Sequence, residues 1–148
     1  MYYIAMELLI KRFDKTLPLP VHKTPGAVAV DLYSRLDIDI TPGEIAYIPM
    51  NVAIKIPDDY FVLLAARSSI HKLGIQSING VGIMDRDYSG NDDEYHFAVR
   101  NYTETSVHID KGTRLCQLVL IKCETFEFNE VNTMPDPSRG GFGTTGNK

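Results

Sequence analysis

Along most of the chain, apolar and polar residues alternate in short runs between turn formers. Asp37-Ile38-Asp39-Ile40 alternates, Thr41-Pro42-Gly43-Glu44 turns, and Ile45 to Ile48 resumes the apolar pattern. Val52 to Ile56 alternates again, and Pro57-Asp58-Asp59 leads into Phe61 to Leu64. Tyr95 to Val99, Val107 to Ile109 and Leu115 to Ile121 follow, the last after the turn Asp110-Lys111-Gly112. A period of two sends successive side chains to opposite faces of a strand. Many short strands separated by turns, at intervals of roughly 8–12 residues, predict an all-β fold, a distorted jelly-roll-like barrel or sandwich. Helical pattern is scarce. Ser68 to Leu73, after Arg67, is expected to form one short helix or turn that presents backbone N–H groups to an anion. Tyr2 to Phe13, rich in aromatic and β-branched residues, is expected to be a strand.

From about Asn129 the pattern stops. The tail NEVNTMPDPSRGGFGTTGNK holds two prolines, four glycines and one aromatic, too little apolar surface to order itself. The expected organisation is one β domain over residues 1–134 and a flexible C-terminal arm over 135–148. Phe142 stands between glycines, which leaves the backbone free and offers one flat apolar ring, as a closing lid requires.

Length fits a single domain that needs no disulfide to fold. Cys116 and Cys123 lie in or beside an apolar run with no partner pattern, so free thiols in a reducing compartment are expected. A net charge of −4 and a pI near 5.5 argue against a general nucleic-acid or membrane-surface binder. The apolar stretch in MYYIAMELLIKRF is too short to span a bilayer and no cleavage pattern follows it, so a soluble cytoplasmic protein is expected. His22, His71, His96 and His108 show no ligand spacing for zinc.

Candidate chemistry concentrates in Asn79 to Gly90, NGVGIMDRDYSG, where Asp85, Asp87 and Tyr88 follow an apolar run broken by Gly82. A carboxylate closing a short β segment, with glycines beside it, suits a hairpin pocket. Either Asp85 or Asp87 could serve as a general base. The two common nucleotide cradles, G-x-x-x-x-G-K-[ST] and G-x-G-x-x-G, are absent. A polyphosphate would instead need Arg67, Ser68, Ser69, Gln117 and the Gly-rich tail with Arg139, Thr144 and Thr145. Asn91-Asp92-Asp93-Glu94 is expected to be a solvated acidic turn.

PGAVAVDLYS (25–34), ARSSIHKLG (66–74), NGVGIMDRDYSG (79–90), GTRLCQLVL (112–120) and RGGFGTTG (139–146), in this order, resemble the five motifs of the trimeric dUTPases, the dUTP nucleotidohydrolases. The resemblance covers nearly all of the chain after about residue 25. It implies hydrolysis of dUTP to dUMP and pyrophosphate by Mg²⁺-assisted attack of water on the α-phosphorus, which limits uracil incorporation into DNA and supplies dUMP. Asp85 is implied as the base that activates water, and Tyr88 as the ring packed on the sugar. Asn79 and Gly82 belong to the implied uracil hairpin. Arg67, Ser68, Ser69 and Gln117 are implied in phosphate contact, and Arg114 looks architectural.

Asp31 is implied to hold the metal through water, with no direct protein ligand to the Mg²⁺. Arg139, Phe142, Gly143 and Thr144 are implied at the closing arm, Phe142 stacking on uracil. A homotrimer is implied, each site drawing on three chains. Backbone groups that match the acceptor, donor, acceptor edge of uracil would leave cytosine with unpaired buried groups, at about 1–3 kcal/mol each.

The chain departs from the usual motifs in three places. Ala66 replaces a proline, Arg139-Gly140 runs into Gly141-Phe142-Gly143 two residues early, and Asn91 to Glu94 lengthens the link after Gly90. The alternatives are dCTP deaminase, or a bifunctional enzyme, of the same superfamily, and a non-enzymatic β-sandwich binding module. The D-x-D-Y turn and the Gly-Phe-Gly tail favour the hydrolase.

Overall fold

The structure, a computed structural model, describes residues 6–142 of the 148. Eleven strands and a single 3-10 turn make up its regular structure among the described residues. β2 (Val30–Tyr33), β11 (Arg114–Lys122), β6 (Tyr60–Ala66) and β8 (Val81–Met84) form one sheet in that order, and β4 (Ile45–Pro49), β9 (His96–Asn101) and β7 (Ile75–Ser77) form a second. Two ribbons flank them, β1 (Ile10–Arg12) with β5 (Val52–Ile54) and β3 (Ile38–Ile40) with β10 (Val107–Ile109). Every pairing is antiparallel. This is the all-β, jelly-roll-like architecture that the alternation predicts.

The two sheets share one core. Leu32, Val62, Leu64 and Leu118 from the first and Ile48, Ile75, Phe97 and Val99 from the second belong to a single buried cluster. In β6, Val62 and Leu64 are buried while Leu63 and Ala65 are partly exposed, the period-two pattern of a strand with one face on the core. Each such side chain contributes roughly 1.5–3 kcal/mol of burial free energy.

Two local expectations change. Of Tyr2 to Phe13, only Ile10–Arg12 is strand among the described residues; before it Leu9 O still accepts from Lys55 N at 2.9 Å, but Met6 and Leu9 are exposed. Ser68 to Leu73 yields a 3-10 turn, Ile70–Leu73, ended by Gly74 at φ 79°. A Cβ at Gly74 would stand 2.8 Å from Thr103 Cγ2, so both space and conformation require glycine there. No helix is long and apolar enough to cross a membrane among the described residues.

Beyond Lys122 no strand follows among the described residues. The Cys123 N–H donates to Asp59 O at 2.8 Å, and residues 124–140 are all exposed. Phe126 and Phe128 touch each other edge to face at 5.1 Å between centroids, and Phe128 is 92% exposed.

Candidate active site

One register row crosses the four-stranded sheet: Asp31 of β2 stands opposite Gln117 of β11, Gln117 opposite Ala65 of β6, and Ala65 opposite Val81 of β8. At the β2 side of this row a cationic cradle is built around Asp31. Its Oδ1 lies 3.1 Å from Arg67 Nε and its Oδ2 accepts from Arg114 Nη1 at 3.0 Å. Arg67 Nη1 also donates to Arg114 O at 3.3 Å, and Gln117 Nε2 donates to Ala66 O at 3.1 Å. One carboxylate thus orients two guanidiniums and leaves the cluster net positive, with donors to spare for an anion. Arg67, Ser69, Lys72 and Arg114 line an open depression of about 440 Å³. Ser68 is exposed beside it. Behind the cradle, burial pushes the Cys116 thiol well above its usual range, and the negative Asp31 adds to the effect. That thiol is inert as a nucleophile.

Asp85 lies elsewhere. β8 runs antiparallel to β6 with Met84 opposite Val62, so Asp85 leaves the sheet near Phe61. Arg67 leaves from the opposite end of β6. Six residues of strand separate those ends, roughly 20 Å at a rise of ~3.3 Å each. Within one chain the carboxylate and the cradle are therefore too far apart to act on one phosphate group.

Asp85 to Tyr88 is a tight turn closed by the Tyr88 N–H donating to Asp85 O at 3.2 Å. Both carboxylates, Asp85 and Asp87, are exposed. The Tyr88 ring stacks on Tyr95 with centroids 6.2 Å apart and planes 21° apart, and its hydroxyl donates to Glu94 O at 3.0 Å. Burial raises the Tyr88 pKa, with Asp93 and Glu94 adding negative charge. Gly82 has a packing reason as well: a Cβ there would stand 3.3 Å from Leu64 Cβ and 3.2 Å from Met84 Cε.

The expected uracil hairpin is a corner. β7 pairs with β9 and β8 with β6, so Ile78 to Gly80 carries the chain from one sheet to the other. Each flanking strand already has its hydrogen-bond partner in a different sheet. The corner is pinned by Ser77 Oγ, 3.1 Å from Asn79 Oδ1 and 3.2 Å from Gly80 O, and Asn79 is exposed there.

The acidic link also differs from the solvated turn expected of it. Glu94 is buried, and its carboxylate accepts from Arg35 Nε at 2.8 Å, Arg35 Nη2 at 3.0 Å and Asn51 N at 2.9 Å. A carboxylate with three charge-assisted partners can leave water. No local pattern announces this pair, because Arg35 lies 59 residues away. Lys72 in the cradle depression was equally silent; only its nearness to Arg67 in sequence hints at it.

Arg139 and Phe142 are exposed, and Phe142 has φ 51°. The structure does not bring them onto the cradle or the Asp85 turn. Gly143 and Thr144 lie outside the described residues. A metal would find no cage at the cradle. Among the described residues, the group of three ligand-bearing side chains within reach of one ion is Asp37, His108 and Asp110 on the β3–β10 ribbon, all exposed. Asp31, with both oxygens already paired to arginines, suits a water-mediated role, its remaining lone pairs accepting from water.

The chain is similar to proteins of known name. It is 36% identical to the deoxyuridine 5'-triphosphate nucleotidohydrolase of Dictyoglomus turgidum, over 95% of this chain and 99% of that protein. It is 40% identical to the enzyme of the same name from Finegoldia magna, over 87% and 92%. Among solved structures, a mutant dUTPase of Staphylococcus bacteriophage 80alpha with dUpNHpp superposes with a TM-score of 0.83 at 23% identity, covering 96% of this chain and 99% of that one. The dUTPase model matches residues 15–146, and with these relatives it establishes that the chain belongs to the dUTPase family.

Proposed function

We propose that this protein hydrolyses dUTP to dUMP and pyrophosphate, with Asp85 as general base for water attacking the α-phosphorus. Membership of the dUTPase family over residues 15–146 carries this reading. Arg67, Ser68, Ser69 and Gln117, with Arg114 and Lys72 beside them, bind the phosphates; Asn79 at the 78–80 corner and Gly82 of β8 take uracil, and Tyr88 packs on the deoxyribose. The arm from residue 135 brings Arg139, Phe142, Gly143 and Thr144 to close the site. When bound, Mg²⁺ offsets phosphate charge and is held by the phosphates and by water that Asp31 orients.

The ~20 Å between Asp85 and Arg67 along β6 supports sites shared between copies of the chain, in a homotrimer. One chain then supplies the cradle, a second the Asp85 turn and a third the arm. Positioning by several chains fits a reaction whose catalysis is mainly orientation and charge stabilisation.

Pyrophosphate release from dUTP with Mg²⁺, run beside dCTP, dTTP and UTP, tests this reading. The native chain should favour dUTP, and Asp85→Asn should lose about 10²–10⁴ in kcat. Mixing Asp85→Asn chains with chains truncated at 134 should restore part of the rate. Ammonia release from dCTP would instead mark a deaminase.

A further inference from the structure

We infer that the ion pair between half-buried Arg35 and buried Glu94 is the positioning device that holds Tyr88 against the sugar, and so sets the preference for deoxyribose over ribose. The inference rests on the reading of dUTP as substrate and Tyr88 as the sugar platform. It adds two residues, both outside every motif of the sequence.

Glu94 works at both ends. The residue is 5% exposed, and its carboxylate accepts from two N–H groups of the Arg35 fork and from the Asn51 N–H. Its backbone carbonyl accepts the Tyr88 hydroxyl at 3.0 Å and lies 2.9 Å from His96 Nδ1. Moving the carboxylate therefore moves the acceptor that fixes the ring. The anchors are firm: Arg35 follows β2 after Ser34, with its N–H donating to Pro49 O at 2.9 Å. Asn51 holds φ 70° at the β4–β5 corner, with its side chain accepting from Asp14 N at 2.6 Å and donating to Asp14 O at 3.0 Å.

The rest of the link has no slack. Gly90 N donates to Asp93 Oδ2 at 2.6 Å, and Lys11 Nζ donates to Asn91 O at 2.5 Å. Below the ring, Tyr95 is fully buried, and its hydroxyl is the buried side-chain polar atom without a hydrogen-bond partner among the described residues. Tyr95 contributes a flat support and no polar grip, so among the described residues the one directional hold on the Tyr88 side chain is the Glu94 carbonyl. A ring held at one height can exclude a 2′-hydroxyl; a ring free to tilt cannot. The asymmetry predicts which kinetic constant suffers: ribose should become tolerated while Asp85, on the near side of the turn, still activates water.

The test compares initial rates on dUTP and UTP, with Mg²⁺, for the native chain, Arg35→Met, Arg35→Lys, Tyr88→Phe and the double variant Arg35→Met/Tyr88→Phe. The ratio of kcat/KM for dUTP to that for UTP should fall about tenfold in Arg35→Met, through KM more than through kcat. Arg35→Lys, which keeps the charge but not the fork, should recover part of the ratio. Tyr88→Phe keeps the ring and removes the hydroxyl, and it should lower the ratio as well. The double variant should be no worse than the poorer single one, since both cut the same link.

An unchanged ratio in folded Arg35→Met, or losses that multiply in the double variant, would overturn the inference. Should Arg35→Met not fold, Arg35→Lys and Tyr88→Phe decide on the same ratio, an unchanged value in both overturning it. A native chain that releases no pyrophosphate from dUTP would remove the functional reading and this inference together. Normal native turnover with unaltered variants would remove this inference alone.

Discussion

Residues 85–94 and residues 124–142 present opposite outcomes from what their compositions suggest. The first stretch, DRDYSGNDDE, has five carboxylates, yet it is tied to three separate parts of the body through Lys11, Arg35 and Asn51. The second contains three phenylalanines, a valine and a methionine, yet its 124–140 portion is wholly exposed. Apolar content alone does not bury a segment; a partner of the right shape must be within reach. Glu94 has one in the Arg35 fork. Phe126 and Phe128 have each other as aromatic partners and stay 74% and 92% exposed.

This comparison can be broken by stability measurements. The largest effect should come from Arg35→Met, which strands the Glu94 carboxylate in the interior. Chemical denaturation should show a loss of about 3 kcal/mol, near the lower end for a broken buried pair because Arg35 itself is 30% exposed. A smaller effect is expected in the exposed 124–140 stretch: Phe126→Ala and Phe128→Ala should each stay within about 0.5 kcal/mol at low protein concentration. A cost that grows with protein concentration would mean that this stretch packs on another copy, and would sharpen the contrast into one between a segment anchored at home and one anchored abroad.

The smallest effect should come from the exposed counterpart of the Arg35–Glu94 pair. His108 Nδ1 lies 2.7 Å from Asp39 Oδ1 on the β3–β10 ribbon, and its pKa is raised first by that hydrogen bond, then by the nearby Asp39, Asp110 and Asp37 charges, partly opposed by desolvation. The folded value lies above the unfolded one of about 6.5. The stabilisation is therefore complete below that pH and fades as the pH rises through the folded pKa. A melting temperature recorded against pH should drift slightly downward across that window, and His108→Gln should flatten the drift.

Much of the fold was legible in the alternation. Val107 to Ile109 is the strand the pattern predicts, and Leu115 to Ile121 falls one residue short of β11 at each end. Such strands read well because one face meets the core and the other does not. The extent of β1 was not legible, since its limits depend on where β5 offers partners. Nor could the row Asp31–Gln117–Ala65–Val81 be foreseen, because register between distant strands sets it. The same register parts Asp85 from Arg67, a separation that no motif spacing reveals. Glu94 read as solvent-facing for a similar reason: its charge was visible in the sequence and its guanidinium partner was not.

The two thiols differ in a way that offers a practical handle. Cys116 is sealed in the core with its thiol kept protonated, so alkylating reagents should pass it by; Cys123 is partly exposed, with its backbone hydrogen bond to Asp59 standing just before the exposed C-terminal stretch. The native chain thus comes with one site for a dye at the root of its own tail. Light emitted from that point would report where the tail goes, with no engineered cysteine required.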